Sequence, residues 1–153
     1  MVTKTDNLKE LYEKDFLLWI EKTIELLSDR QLQQLDYDNL IEELAAMGRT
    51  EKRTVKSLVR QILIHLLLYQ YWTAKHKYNA KHWKGEIITF RQQLKDDLTS
   101  TLYNYLLSEL DNLYDDAKET VEHKTKLNLF PSQCPYTLEQ IIDKNWLPSI
   151  SNQ

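Results

Sequence analysis

The sequence predicts an all-α fold, a bundle of four principal helices with a long central second helix and a short C-terminal helix. Apolar residues recur at helical spacing along most of the 153 residues. Glycine occurs only as Gly48 and Gly85, which is too few for the tight turns of a sandwich or propeller. We predict one domain over residues 1–153, with the core bundle at about 6–124 and an extended segment with the last helix at about 125–153.

The N-terminal half of the chain is predicted to form the first two helices. The first is expected from about Asp6 to Leu27, and the second from Asp36, as its N-cap, to about Trp72. At about 100° per residue, the apolar residues of the second helix fall in one sector roughly 120° wide. This stripe passes Gly48 without a change of phase, so we predict a single helix of about 36 residues rather than two.

The third and fourth helices follow a turn that we place at Tyr78 and Asn79. The third should cover about residues 80–97, and the fourth should begin near Thr99 or Ser100 and end near His123. We expect the first helix to pack on the early half of the second helix, and the third and fourth helices on its late half.

The helical pattern of apolar residues ends at about residue 124, and a segment that contains prolines follows. Pro131 and Pro135 predict that residues 127–136 are extended, because a residue before proline avoids the α region. Thr137 and Gln140 then match a capping box, which predicts a short last helix.

Four motifs that span nearly the whole chain resemble one known family. They are Tyr12-Glu13-x-Asp15-Phe16-x-x-Trp19, Leu35-Asp36-x-x-Asn39-Leu40-x-Glu42-Glu43-Leu44-x-x-Met47-Gly48-Arg49-x-Glu51-x-Arg53, His65-Leu66-Leu67-x-x-Gln70-Tyr71 and Cys134-Pro135-Tyr136-Thr137-Leu138-Glu139. In this order they resemble the bacterial, mainly cyanobacterial, family called domain of unknown function 29. The resemblance implies a compact all-α domain and a cyanobacterial source, and it implies no activity or catalytic residues.

Charge is distributed unevenly along the chain. Residues 49–91 hold ten Lys/Arg and two acids, Glu51 and Glu86, whereas the whole chain has a net charge of −3. One candidate surface for an anionic partner, called here the basic surface, consists of Arg49, Lys52, Arg53, Lys56, Arg60, Lys75, Lys77, Lys81 and Lys84. The first five lie on one helical face opposite the apolar stripe. Nucleic-acid phosphates would bind there, unless acidic helices of the same chain pair with these cations.

Two polar residues fall on or near the apolar stripe of the second helix. Glu51 lies in its centre, so we expect this carboxylate to be buried and paired. His65 lies near its edge among leucines and isoleucines, so we expect a buried, hydrogen-bonded histidine with a structural role. A ligand-binding or general-base role for His65 is the alternative.

A metal site has little support in the sequence. No Glu-x-x-His occurs, which excludes the di-iron carboxylate class of helical bundle. His76, His82 and Glu86 are weak candidates, because three such groups lack a fourth ligand. We therefore predict no metal and no cofactor.

The function predicted from these observations is a non-enzymatic interaction or adaptor protein. Its partner is open, either a protein or an anionic molecule, and so is its oligomeric state. A nucleic-acid-associated protein using the basic surface and a metal-dependent or histidine-based enzyme are the alternatives. The single Cys134, the lack of an 18-residue apolar run and the absence of a signal-like N-terminus predict a cytoplasmic protein that does not cross a membrane.

Overall fold

Every regular element in the computed structural model, which describes residues 4–152, is helical. The all-α fold class is therefore confirmed for the part of the chain that is described. The helices are α1 (Lys4–Lys14), α2 (Phe16–Ser28), α3 (Tyr37–Tyr71), α4 (Thr73–Asp97), α5 (Ser100–Thr125) and α6 (Leu138–Ile142), with a short 3-10 turn at Leu32–Gln34. None of these helices combines the length and hydrophobicity that spanning a lipid bilayer requires.

The chain divides into two compact units at a point within α3. The first unit ends at Thr50 and the second begins at Glu51. The expectation of a single domain stays a prediction, and the two units are described separately below.

The first unit has a small apolar core. Among residues 7–50, the buried apolar side chains are Leu8, Trp19 and Leu35. Two polar contacts join its helices. The indole Nε1 of Trp19 donates to the carboxylate of Asp36 at 3.2 Å, and the Tyr12 hydroxyl donates to Glu43 at 2.5 Å. These contacts place the first helices of the chain against the beginning of α3, as the sequence predicts.

The second unit contains the main hydrophobic core. The late half of α3 is apolar on nearly all sides, and Val59, Ile62 and Leu67 are fully buried. One cluster of buried residues joins α3 to α4, α5 and the C-terminal segment. The predicted packing of the third and fourth helices on the late half of α3 is therefore confirmed.

Helix α3 is continuous through Gly48, as the phase of the stripe predicts. It covers Tyr37–Tyr71 in 35 residues. A Cβ added at Gly48 would meet no atom within 4 Å. Packing inside the chain therefore does not require glycine at this position.

The prediction of one first helix is wrong, because the chain breaks between α1 and α2 at Asp15. Its side chain accepts a hydrogen bond from the backbone N–H of Leu18 at 3.1 Å, and its own backbone is not helical. An aspartate that caps the following turn competes with the continuing helix for the same amides. Helix α1 begins at Lys4, before the predicted cap at Asp6.

The predicted turn at Tyr78 and Asn79 is also wrong. The break falls at Trp72, and α4 begins at Thr73. Asn79 stays within the helix and donates its side-chain amide to the carbonyl of Lys75, one turn earlier, at 2.9 Å. This local bond satisfies the asparagine without breaking the helix.

The predicted cap of α5 and the predicted capping box of α6 are confirmed. Thr99 caps α5, and the chain has no regular structure over residues 127–136. Thr137 and Gln140 form the capping box of α6. Trp146 packs against the core and meets the ring of Tyr136 edge-on at 5.6 Å.

Candidate functional site

Three of the five cations on the predicted helical face are paired with acids of the same chain. The distances are 2.7 Å from Arg49 to Glu42, 3.8 Å from Lys56 to Glu109 and 3.4 Å from Arg60 to Asp116. Glu109 and Asp116 both belong to α5. This is the arrangement expected if the basic surface is neutralised within the molecule.

Other members of the basic surface lie over aromatic rings. The Nζ atom of Lys52 is 5.0 Å from the ring centroid of Tyr105, and that of Lys84 is 5.6 Å from Tyr69. Lys77 lies 5.6 Å over the ring of its neighbour Tyr78. Cation–π contacts at exposed sites contribute about 0.5–1 kcal/mol each, so they orient these lysines. Arg53 and Lys81 are exposed.

Glu51 is exposed, so the prediction that it is buried is wrong. The helical wheel places it on the apolar side of α3, and that side is exposed at residue 51. An exposed carboxylate is solvated and needs no partner.

His65 is half-buried rather than buried, which corrects the predicted degree of burial. Its Nδ1 atom lies 2.7 Å from the carbonyl oxygen of Gln61, so Nδ1–H is the donor and Nε2 is left for other contacts. The ring lies 5.7 Å from that of Phe90. Burial lowers the pKa of His65, and the hydrogen bond to the Gln61 carbonyl and then the nearby Glu86 oppose this by smaller amounts.

Three predicted residues line one open cavity of about 450 Å³. They are His65, Lys75 and His82, and the cavity is completed by Trp72, Asn79, Trp83 and Lys124. These lining side chains offer two imidazoles, two lysine cations and aromatic faces but no carboxylate. The site could therefore hold an anion.

The weak metal candidates His76, His82 and Glu86 do not form a ligand group. The ring of His76 packs edge-on against Tyr69 at 4.7 Å and Trp83 at 6.2 Å. Among the side chains of residues 7–152, no cluster of three His, Cys, Asp or Glu is placed to hold a metal ion. The cysteine is also unsuited to nucleophilic chemistry, because burial raises the pKa of Cys134.

An exposed apolar surface on the first unit was not predicted. It is called here the α3 face and consists of Tyr37, Ile41, Leu44 and Met47, which are 49%, 62%, 59% and 64% exposed. Their spacing is helical, so they lie on one side of α3. The sequence pattern identified them as a stripe but indicated core rather than surface. The first unit has more large apolar residues than its small core can bury, and this excess was the one indication in the sequence that some of them are exposed.

Sequence analysis also missed the structural role of Arg91. It is 5% exposed, and its guanidinium donates to the backbone carbonyls of Ile141 at 2.8 Å, Trp146 at 2.8 Å and Gln140 at 3.1 Å. These bonds attach the C-terminal segment to α4. In the sequence, Arg91 is one of many cations in a basic stretch, and nothing local distinguishes it.

Comparison with known proteins assigns a family but no activity. Residues 11–147 match the family described as "Domain of unknown function DUF29", and because this match covers most of the chain, the chain belongs to that family. A crystal structure of an α-helical protein of unknown function from Rhodospirillum rubrum is similar, with a TM-score of 0.61 and 21% identity. The alignment covers 88% of this chain and 90% of that one, and it supports the fold. The search of curated proteins gave no significant match.

Proposed function

We propose that this member of the DUF29 family is a non-enzymatic interaction protein whose α3 face binds an amphipathic helix of a partner protein. The observation that carries the proposal is the exposure of Ile41, Leu44 and Met47, each about three-fifths accessible to solvent. Contiguous apolar patches on soluble proteins are typical of interaction sites.

Burial of the α3 face would supply a substantial driving force. Fully burying a leucine, isoleucine or methionine side chain stabilises by about 1.5–3 kcal/mol. Each of these three side chains already has part of its surface covered, so the gain per residue is smaller. The first unit exposes further large apolar residues in α2 and the following turn: Phe16, Leu17, Ile24, Leu27 and Leu32.

Gly48 supports a helix as the occupant. It lies on the same side of α3 as Tyr37 and Leu44, and glycine in a helix interior costs about 1 kcal/mol relative to alanine. No atom of the chain lies within 4 Å of the place where its Cβ would be. A glycine on an exposed apolar face allows another backbone to approach closely.

The charge of the first unit indicates a basic partner. Residues 1–50 contain 11 Asp/Glu and six Lys/Arg, and Asp38 is exposed in the first turn of α3. Opposite charges around an apolar contact favour encounter and fix its orientation. The proposed occupant is therefore an amphipathic helix whose apolar side is flanked by lysine or arginine.

Two further points fit this proposal. The pairing of Arg49, Lys56 and Arg60 with acids of the same chain reduces the charge available to a nucleic acid, which argues against the nucleic-acid alternative. We place the protein in the bacterial cytoplasm, which the single cysteine favours.

The test uses two designed helical peptides of equal length, one of leucine and lysine and one of leucine and glutamate. Isothermal titration calorimetry should show binding of the lysine peptide and much weaker binding of the glutamate peptide. The double variant Ile41→Gln/Leu44→Gln should lower the affinity at least about tenfold, which corresponds to 1.4 kcal/mol. The matched control Ile88→Gln/Leu107→Gln removes two residues of similar exposure from the second unit and should leave binding unchanged.

Equal loss of affinity in the two double variants, or no binding by the wild type, would contradict the proposal. Light scattering on the same proteins tests a different occupant. A wild-type dimer that becomes a monomer only in Ile41→Gln/Leu44→Gln would show that a second copy covers the α3 face.

A further inference from the structure

We infer that a cavity between α4 and α6 in the second unit binds a small carboxylate with an apolar body. The cavity has a volume of about 830 Å³ and is lined by Ile88, Arg91, Gln92, Leu94, Lys95, Leu98, Ile142, Lys144 and Asn145. Ligand sites in proteins commonly have volumes of about 300–1,000 Å³, apolar walls and a few polar groups. This site is separate from the α3 face and does not depend on the proposed function.

The first argument is the burial of a guanidinium charge. Arg91 is 5% exposed, and among residues 7–152 no carboxylate forms an ion pair with it within 4.0 Å. Burial lowers the pKa of Arg91, and the charge of Asp143 raises it by less. Buried charges in proteins are usually paired with an opposite charge. An anion in the cavity would supply that charge.

The second argument is the number of donors that remain. A guanidinium carries five N–H groups, and Arg91 uses one each on Nε, Nη1 and Nη2 for backbone carbonyls. One N–H therefore remains on each Nη atom. Each of these N–H groups can donate a charge-assisted hydrogen bond to a carboxylate oxygen. The backbone bonds hold the guanidinium in place before a ligand arrives, which reduces the entropy lost on binding.

The remaining lining residues indicate what the rest of the ligand is. Leu94, Leu98 and Ile142 form an apolar wall, and Lys95 and Lys144 add two further cations. None of the lining residues is an acid. A molecule that is apolar over most of its length and anionic at one end fits both parts of this lining.

The test compares three probes with the same chain and different head groups, namely octanoate, octanol and octylammonium. Calorimetry on the 153-residue protein should show octanoate binding, with octanol weaker by about tenfold, or 1.4 kcal/mol, and octylammonium weaker still. Ile88→Glu places a negative charge in the lining and should weaken octanoate binding by about tenfold. Thr89→Glu places the same charge one residue away, outside the lining, and should bind like the wild type.

Arg91 also holds the C-terminal segment, so its replacement could unfold the protein and is not the deciding variant. Lys95→Gln/Lys144→Gln leaves these bonds intact and should make octanoate affinity less sensitive to salt. Equal affinity for octanoate and octanol would overturn the inference, as would equal effects of Ile88→Glu and Thr89→Glu. The inference would also be overturned if octanoate did not bind at about millimolar concentration, where a binding free energy of only about 4 kcal/mol would be detected.

Discussion

Helix α3 has the same apolar pattern in both units, but only the second unit buries it. In the first unit, Ile41 and Leu44 are 62% and 59% exposed, whereas Val59 and Ile62 in the second unit are fully buried. Among the residues whose burial is described, the first unit buries three apolar side chains and the core cluster of the second unit contains 23. A helical pattern therefore identifies an apolar side without specifying what covers it.

The sharpest test of this difference replaces one leucine in each half of α3. Leu67→Ala should lower the free energy of unfolding by about 2–5 kcal/mol, because it removes a fully buried side chain and leaves a cavity. Leu44→Ala, at an exposed position, should change it by less than about 0.5 kcal/mol. Urea denaturation monitored by circular dichroism measures both. A large loss in Leu44→Ala would mean that the α3 face is covered in solution.

A second comparison asks whether the first unit depends on polar contacts more than on its small apolar core. Asp36 is 1% exposed and accepts hydrogen bonds from Trp19 and Asn39. Asp36→Ala should cost about 1–3 kcal/mol, because both donors lose their buried acceptor. The loss of this contact should reduce the near-ultraviolet circular dichroism signal of Trp19.

The matched control for this experiment is Asp38→Ala. Asp38 is exposed in the first turn of α3, where a negative charge contributes about 0.3–1 kcal/mol through the helix dipole. An Asp36→Ala variant no less stable than Asp38→Ala would show that the contact with Trp19 does not hold the first unit together.

The smallest expected effect is the pH dependence contributed by His65. Burial lowers its pKa in the folded protein, so the unfolded chain binds a proton more readily below its ordinary pKa of about 6.5. This contribution to stability is complete above that pH and is lost as the pH falls from about 6.5 through the lower folded pKa. His65→Leu should remove that loss and flatten the stability curve below about pH 6.5.

The control for the pH experiment is His123→Leu, at an exposed position on α5. Thermal melts at several pH values should show the wild-type slope in His123→Leu and a shallower slope in His65→Leu. Identical slopes in all three proteins would show that burial does not perturb His65 in solution.

Local patterns predicted most of the helical elements because their causes are local. The uninterrupted phase across Gly48 identified α3, and the Thr137 and Gln140 side chains identified the start of α6. The break at Asp15 was missed because an aspartate within an apolar periodicity is compatible with either a cap or an exposed helix position. The turn was placed six residues late because Asn79 satisfies its amide within the helix.

The candidate sites were harder to predict because they depend on distant partners. His65, Lys75 and His82 were named individually, but α3 and α4 had to be positioned before they could line one cavity. The cations of the basic surface were recognised, whereas their pairing with Glu109 and Asp116 depends on where α5 lies. Arg91 was missed because its hydrogen-bond acceptors are about 50 residues away in the chain.

By itself, the sequence determined the helical class, the continuity of α3, the capped last helix and the uneven distribution of charge. Each follows from backbone preferences and side-chain spacing within a few turns of chain. Only the tertiary structure decided that the apolar side of α3 is covered after Val55 and exposed before Met47, and that Arg91 is buried. Burial depends on which elements occupy the space beside a side chain, and that is set by packing between residues far apart in the sequence.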